Sequence, residues 1–269
     1  GTLAKPIAGL ANWATARENT PLRGFLEVIA GIDKDAGLPQ FHSKTAKDRL
    51  KTMPVADPAG PAFGQRKAVI YATCFSNYND PGTAQAAAKV LAKQGVETAF
   101  CYPECCGMPQ LESGDLADVA GRAARTAEAF APYVAQGYDV IALTASCGLM
   151  MKFEWPLLLP DNAAVKALAR ATKDVSQYVV SLNKAFGLAP GLKPIEGGVT
   201  VHHACHARAQ NMGAQSAQML KLIPDTRIEL VERCSGHGGT FGVMKETRPM
   251  ALKVGKPAAR QVAAKKTEE

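Results

Sequence analysis

Three short apolar runs, each leading into a cysteine, restrict the fold more than any other feature of these 269 residues. KAVIYAT is β-rich and stops at Cys74, and VETAF leads into CYPECCG with Cys101, Cys105 and Cys106. YDVIALT runs into ASCGLMMK and Cys147. Longer helical stretches lie between them. GTAQAAAKVLAKQG is rich in alanine and has a glycine stop. SGDLADVAGRAARTAEAFAPYVAQG opens on a Ser/Asp start signal and places Leu116, Val119, Ala123, Ala127, Phe130 and Val134 at three-to-four-residue spacing, one apolar helical face. Strands alternating with helices in this way predict an α/β fold with short, largely parallel strands. Such sheets bind ligands at the carboxyl ends of their strands. Cys74, the pair Cys105 and Cys106, and Cys147 are therefore expected to meet at one edge, although 31 and 41 positions separate them.

The second half repeats the device. GVTVHHACHARAQNMGAQSAQMLKLIPD reads as strand, Cys205, helix, and TRIELVERCSGHGGTFG as strand, Cys234, glycine-rich turn. Cys205 and Cys234 are 29 apart, against 31 for Cys74 and Cys105, and CSG answers to CCG with Ser235 in place of the second cysteine. The expected layout is two pseudo-repeated βαβ halves, with cysteines at the carboxyl ends of the strands. Residues 1–66 form an entry helix and a linker rich in Pro and Gly, and residues 67–150 the first repeat. Residues 151–197 are a helical connection covering the sheet, and 198–269 the second repeat with a C-terminal helix. Because the sequence opens at Gly1, a trimmed chain or part of a longer polypeptide is expected.

Seven cysteines are an odd number, and a vicinal pair such as Cys105–Cys106 is strained as a disulfide. Thiols that are free or metal-bound, in a reducing cytoplasmic compartment, are the expectation. The sequence contains no run of about 18 apolar residues. The net charge of +7 could suit an anionic partner, but aromatic residues make up only 6% and no basic-aromatic motif is present, which argues against nucleic acid. The basic end, KVGKPAARQVAAKKTEE, reads as a solvated helical face.

Four thiolates brought together by one fold are a ligand set for zinc or for an iron–sulfur cluster, since soft sulfur stabilises both. Direct thiol–disulfide chemistry at Cys105 or Cys106 is a third possibility. Cys105 and Cys106 are the leading candidates, with Gly107 allowing a tight turn beside a bulky ligand, followed by Cys74 and Cys147. Cys101 reads equally as a core thiol. In the second half, Cys205 and Cys234 have His206 and His237 within three residues, so a mixed Cys/His site is open there. Gly236, Gly238, Gly239 and Gly242 form a loop able to wrap a cluster or cradle an anion.

CCGMPQLESGDL, TASCGLMMK, HHACHARAQNMG and ERCSGHGGTFGVMKE together resemble the cysteine-rich, or CCG, domain family, in particular the type found as the iron–sulfur subunit of anaerobic glycerol-3-phosphate dehydrogenase. Subunits of heterodisulfide reductase and of glycolate and lactate oxidases belong to the same family. The resemblance implies an iron–sulfur cluster, of the 4Fe-4S kind, ligated by Cys74, Cys105, Cys106 and Cys147 in the first repeat and by Cys205 and Cys234 in the second. It also implies an electron-transfer subunit working between a flavin-bearing dehydrogenase and a quinone or protein acceptor, with peripheral association at the inner face of the cell membrane. Two departures stand out. Cys147 is followed by Gly148, Leu149 and Met150 rather than by the family's Cys-x-x-Cys, and the second repeat lacks its later cysteines.

Overall fold

The computed structural model describes residues 5–265 and Thr267. Gly1 and Lys266, Glu268 and Glu269 of the basic end lie outside the described residues. The entry segment holds three helices, α1 (Ala8–Thr15), α2 (Thr20–Ala30) and α3 (Ala46–Arg49), where one was expected. Arg23 of α2 is 1% exposed and donates to the carbonyls of Thr15, Asp33, Lys34 and Ala36, tying the helix to the loop behind it. The outward faces of α1 and α2 expose Leu10, Trp13, Phe25, Val28 and Ile29. The Pro- and Gly-rich stretch after α3 is packed down: Ala62 is buried and donates to Gln94 O, and Asp57 N–H donates to Ala92 O.

Ala68, Val69, Ile70 and Tyr71 are all fully buried, so the strand that carries them, β1 (Lys67–Tyr71), is central and covered on both faces. Helices α4 (Thr73–Tyr78) and α5 (Pro81–Lys93) lead to β2 (Glu97–Cys101), and α6 (Met108–Glu112) and α7 (Leu116–Ala135) lead to β3 (Asp139–Ala142). Next come α8 (Ala145–Leu149), a π-helical turn (Met150–Glu154), α9 (Trp155–Leu158) and α10 (Ala163–Ala171), then β4 (Thr172–Asp174) and α11 (Val175–Phe186). The four strands form one parallel sheet in the order β2-β1-β3-β4. The connection expected to be purely helical therefore supplies a strand. Three polar residues, Thr-Lys-Asp, give no apolar run by which to see it.

Alternation along β1 sends Ala68 and Ile70 into one layer and Val69 and Tyr71 into the other. The first layer packs on α3, α5 and α11 through Leu50, Ala88, Leu91, Tyr178 and Leu182. The second packs on α7, the π-helical turn, α9 and α10 through Val119, Ala123, Phe130, Met150, Trp155 and Leu168. The expected face of α7 is buried at Val119, Ala123, Ala127 and Phe130, but Leu116 in the first turn is 49% exposed.

The second half is smaller. β5 (Val199–His202), α12 (Cys205–Arg208), α13 (Gln215–Leu220) and β6 (Ile228–Val231) make a parallel two-stranded unit, closed by α14 (Arg248–Lys265). The expected strand–helix–strand order is present in both halves. α13 packs on α11, and α12 packs on α8, so the turn carrying Cys205 sits beside the turn carrying Cys147.

Candidate thiolate centre

Three strand ends deliver sulfur to the carboxyl edge of the sheet: Cys74 on α4 after β1, Cys105 and Cys106 after β2, and Cys147 on α8 after β3. β1 leads outward to β2 and its other neighbour, β3, leads outward to β4, so the connections leaving β1 and β3 run in opposite directions. That switch point is where doubly wound sheets hold their ligands. Thr73 and Thr144 share a hydrogen bond of 3.0 Å across it. Thr73 has φ 62°, an outlying conformation for a β-branched residue, and its Oγ1 also accepts from Ser76 N–H at 3.2 Å. A strained turn next to Cys74 is thus fixed from two sides.

The sulfurs of Cys74 and Cys105 are 3.7 Å apart, and the Cys106 thiol interacts with those of Cys105 and Cys147. The four thiols form a continuous run, and all seven cysteines are free. Their protons are not held alike. Cys105 lies far below the ordinary thiol range because the Cys106 and Cys74 thiols, then the Gly107 N–H and the Arg122 charge, favour its thiolate. Cys106 and Cys74 are pushed up, first by hydrogen bonding to Cys105 and further by burial. A thiolate at Cys105 disfavours ionisation of its Cys74 and Cys106 neighbours, and displacing their protons is what a bound metal does.

The loop between β2 and α6 is held by contacts that the sequence did not announce. Tyr71 Oη donates to Glu104 O at 2.7 Å, and Trp155 Nε1 donates to Cys106 O at 3.1 Å. The Glu104 carboxylate accepts from Arg125 at 2.8 and 2.9 Å and from Arg122 at 3.4 Å, while Arg122 also reaches Asp118 at 2.7 Å. Gly107 has φ 84°, and a Cβ there would stand 3.3 Å from Arg122 Cδ. A cleft of about 500 Å³ opens onto Cys74 and Cys105 between Phe41, Tyr78 and Tyr102. Phe41 comes from the entry segment. Its backbone is pinned by Asn12, which accepts from its N–H at 2.8 Å and donates to its carbonyl at 2.9 Å.

The remaining candidates stand apart from this run. Cys101 lies inside β2, packed against the second layer, and burial raises its thiol to about 11. Cys205 and Cys234 are exposed, as is His237, while His206 is half-buried. Cys234 Sγ accepts from Gly236 N–H at 3.4 Å. In the glycine loop, a Cβ on Gly239 would fall 2.2 Å from Glu112 Oε2, so the loop lies against a carboxylate of the first half. Buried His203 lies with Nδ1 3.2 Å from Glu232 Oε1, and its Nε2 has no partner. Among the described residues no three His, Cys, Asp or Glu side chains gather tightly enough to close around a single metal ion.

The donor set of the first half fits an iron–sulfur centre. Four soft sulfurs come from three strand ends, Cys106 and Cys147 are backed by an apolar layer, and the protons of Cys74 and Cys106 are ones a metal would displace. Compared with known proteins, the cysteine-rich domain of the CCG family matches residues 68–152 and 199–268, more than half of the sequence. The chain belongs to the CCG family. Among relatives of this CCG chain, a subunit of the anaerobic glycerol-3-phosphate dehydrogenase of Escherichia coli K12 is 26% identical over 267 residues, covering 97% of this chain and 65% of that protein. Lactate utilization protein A of Bacillus licheniformis is 29% identical over 191 residues, covering 66% and 75%. One subunit of the dihydromethanophenazine:CoB–CoM heterodisulfide reductase of Methanosarcina barkeri is 26% identical over 260 residues, covering 90% and 60%. The CCG chain thus spans less than two thirds of the length of the Escherichia coli relative. No solved structure gives a significant match.

Proposed function

We propose that this chain is an iron–sulfur electron-transfer subunit of an oxidoreductase. The observation that carries the reading is the run of Cys74, Cys105, Cys106 and Cys147 at the switch point of a parallel sheet. A cluster bound there supplies a one-electron carrier. Cys74, Cys105, Cys106 and Cys147 would hold it, while Arg122, the Gly107 N–H and the apolar layer around Trp155 set its electrostatic surroundings. The named relatives are subunits of a glycerol-3-phosphate dehydrogenase and a heterodisulfide reductase, and a lactate utilization protein. They support a donor of the flavin dehydrogenase class, acting on glycerol 3-phosphate or a 2-hydroxy acid.

The cleft between Phe41, Tyr78 and Tyr102 is the open side of the centre, and we assign electron exchange with a quinone or protein acceptor to it. Cys205 and Cys234 belong to a second site that a partner protein completes. Assembly into a complex is supported by the uncharged face that α1 and α2 expose. No helix among the described residues is long and apolar enough to cross a membrane, so contact with the inner membrane face would be peripheral. The test is iron, acid-labile sulfide and zinc content of protein purified without air. Iron and sulfide in comparable amounts, lost in Cys105→Ala and Cys106→Ala, are expected. Stoichiometric zinc without sulfide would make the chain a structural module, and neither metal would end the proposal.

A further inference from the structure

Two of the four thiols of the centre face the cleft and two do not. Cys74 and Cys105 are half-buried, and both line the opening of about 500 Å³ walled by Phe41, Tyr78 and Tyr102. Cys106 and Cys147 are 2% and 4% exposed and lie in the apolar layer around Trp155. The accessible pair is also in sulfur contact, at 3.7 Å, although 31 positions separate the two residues. They follow neighbouring strands, β1 and β2, whose pairing runs up to Tyr71 and Cys101.

A disulfide holds its sulfurs at about 2.05 Å, so closing this pair takes a further approach of about 1.7 Å. The turns on either side are tied down. Thr73, next to Cys74, is held by Thr144 and Ser76, and the carbonyl of Glu104, next to Cys105, accepts from Tyr71 Oη. The two sulfurs thus stay opposed when no metal lies between them. Other pairings are poorer. A vicinal Cys105–Cys106 bridge is strained, and Cys106 and Cys147 lie where a polar oxidant would have to shed its water.

We propose that Cys74 and Cys105 are a modification site of the cluster-free chain: hydrogen peroxide entering the cleft joins them in a disulfide that closes the centre to iron, and a thiol reductant reopens it. One sulfur attacks peroxide, the O–O bond breaks, a sulfenic acid forms and water leaves. The other sulfur attacks that sulfenic sulfur, the S–S bond forms, the S–O bond breaks and a second water carries off the thiol proton. Two electrons pass from the sulfur pair to peroxide, and the product is the same whichever sulfur takes the oxygen. Two molecules of a small thiol reverse the step through a mixed disulfide and leave as their own disulfide. The bond holds two of the four ligands out of reach of a metal and spares both from irreversible oxidation. The gate, though not the disulfide, rests on the iron–sulfur reading.

The experiment uses the full chain, freed of metal with a chelator without air and treated with one equivalent of hydrogen peroxide. Non-reducing digestion and mass spectrometry are expected to find the peptides of Cys74 and Cys105 linked as the main product, and the link gone after dithiothreitol. In Cys74→Ser the linked peptide is lost, and Cys105 goes on to sulfinic acid at the same dose. A main link from Cys105 to Cys106, or sulfinic acid on Cys105 of the wild type with Cys74 still a free thiol, overturns the proposal. Iron and sulfide are then offered to the peroxide-treated wild type with and without dithiothreitol. Several-fold more cluster, read from the visible spectrum, is expected with it, and equal uptake without it overturns the gate. Reduced, never-oxidised chain that takes up no cluster would instead sink the iron–sulfur reading and the gate with it, while the mapped disulfide would stand.

Discussion

At Gly107 the backbone passes through φ 84° with Arg122 and Val119 pressed against the position a side chain would take. Gly107→Ala is expected to cost about 1–3 kcal/mol in backbone strain, read as a lower thermal midpoint, and to reduce the iron retained per chain. Two residues earlier, Cys105 is the thiol whose surroundings favour ionisation. In metal-free protein it is expected to alkylate at pH values where an ordinary thiol is protonated, while Cys106 and Cys74 resist. Peptide mapping after brief iodoacetamide treatment across a pH series checks this, and equal rates at the three cysteines would contradict it. The glycine was legible in the sequence, because a CCG turn needs a residue that tolerates positive φ. Glu104, Arg122 and Arg125 were not. Their pairing depends on how α7 lies along the cysteine loop, and local spacing carries no record of that.

Among the elements, α3 shows how little of the entry segment is mere approach. Thr45 and Asp48 form a reciprocal cap, and Asp48 lies well below the ordinary carboxylate range, chiefly through Lys5 at 2.6 Å and then through Thr45. A depressed carboxylate stabilises the fold above its unfolded value of about 3.9 and loses that contribution as pH falls toward the folded value. Asp48→Asn is thus expected to destabilise most near neutral pH, and urea unfolding should show its deficit shrinking below about pH 4. On the other side of the sheet, fully buried Phe130 anchors α7, and Phe130→Ala should cost about 3–5 kcal/mol in the same assay. Trp155→Phe keeps the packing but removes the bond to Cys106 O. It should cost about 1–3 kcal/mol and lower iron retention. Five of the six strands could be read from apolar runs. β4 could not, since it is three residues long and polar, and it is held as a strand by pairing with β3.

Taken whole, the molecule assembles its thiols through contacts distant in sequence. β1 pairs with β3 in a register that sets Ala68 beside Asp139, and β1 with β2 in one that sets Tyr71 beside Cys101. Gathering of cysteines at strand ends was legible because parallel strands all point one way. The seam between the halves was not: there Gln210 accepts from Lys152 at 3.2 Å and lies against Gly148, and the three come from unrelated stretches. Non-local parallel pairing is slow, since loop closure must precede any contact that rewards it. Until β1 and β3 are side by side, seven sulfurs hang on a mobile chain with no neighbour chosen for them. Refolding from denaturant is therefore expected to yield far less native protein in air than with a thiol reductant, the loss appearing as mixed disulfides on non-reducing gels. For this chain, time spent unfolded is time in which its sulfurs are unguarded.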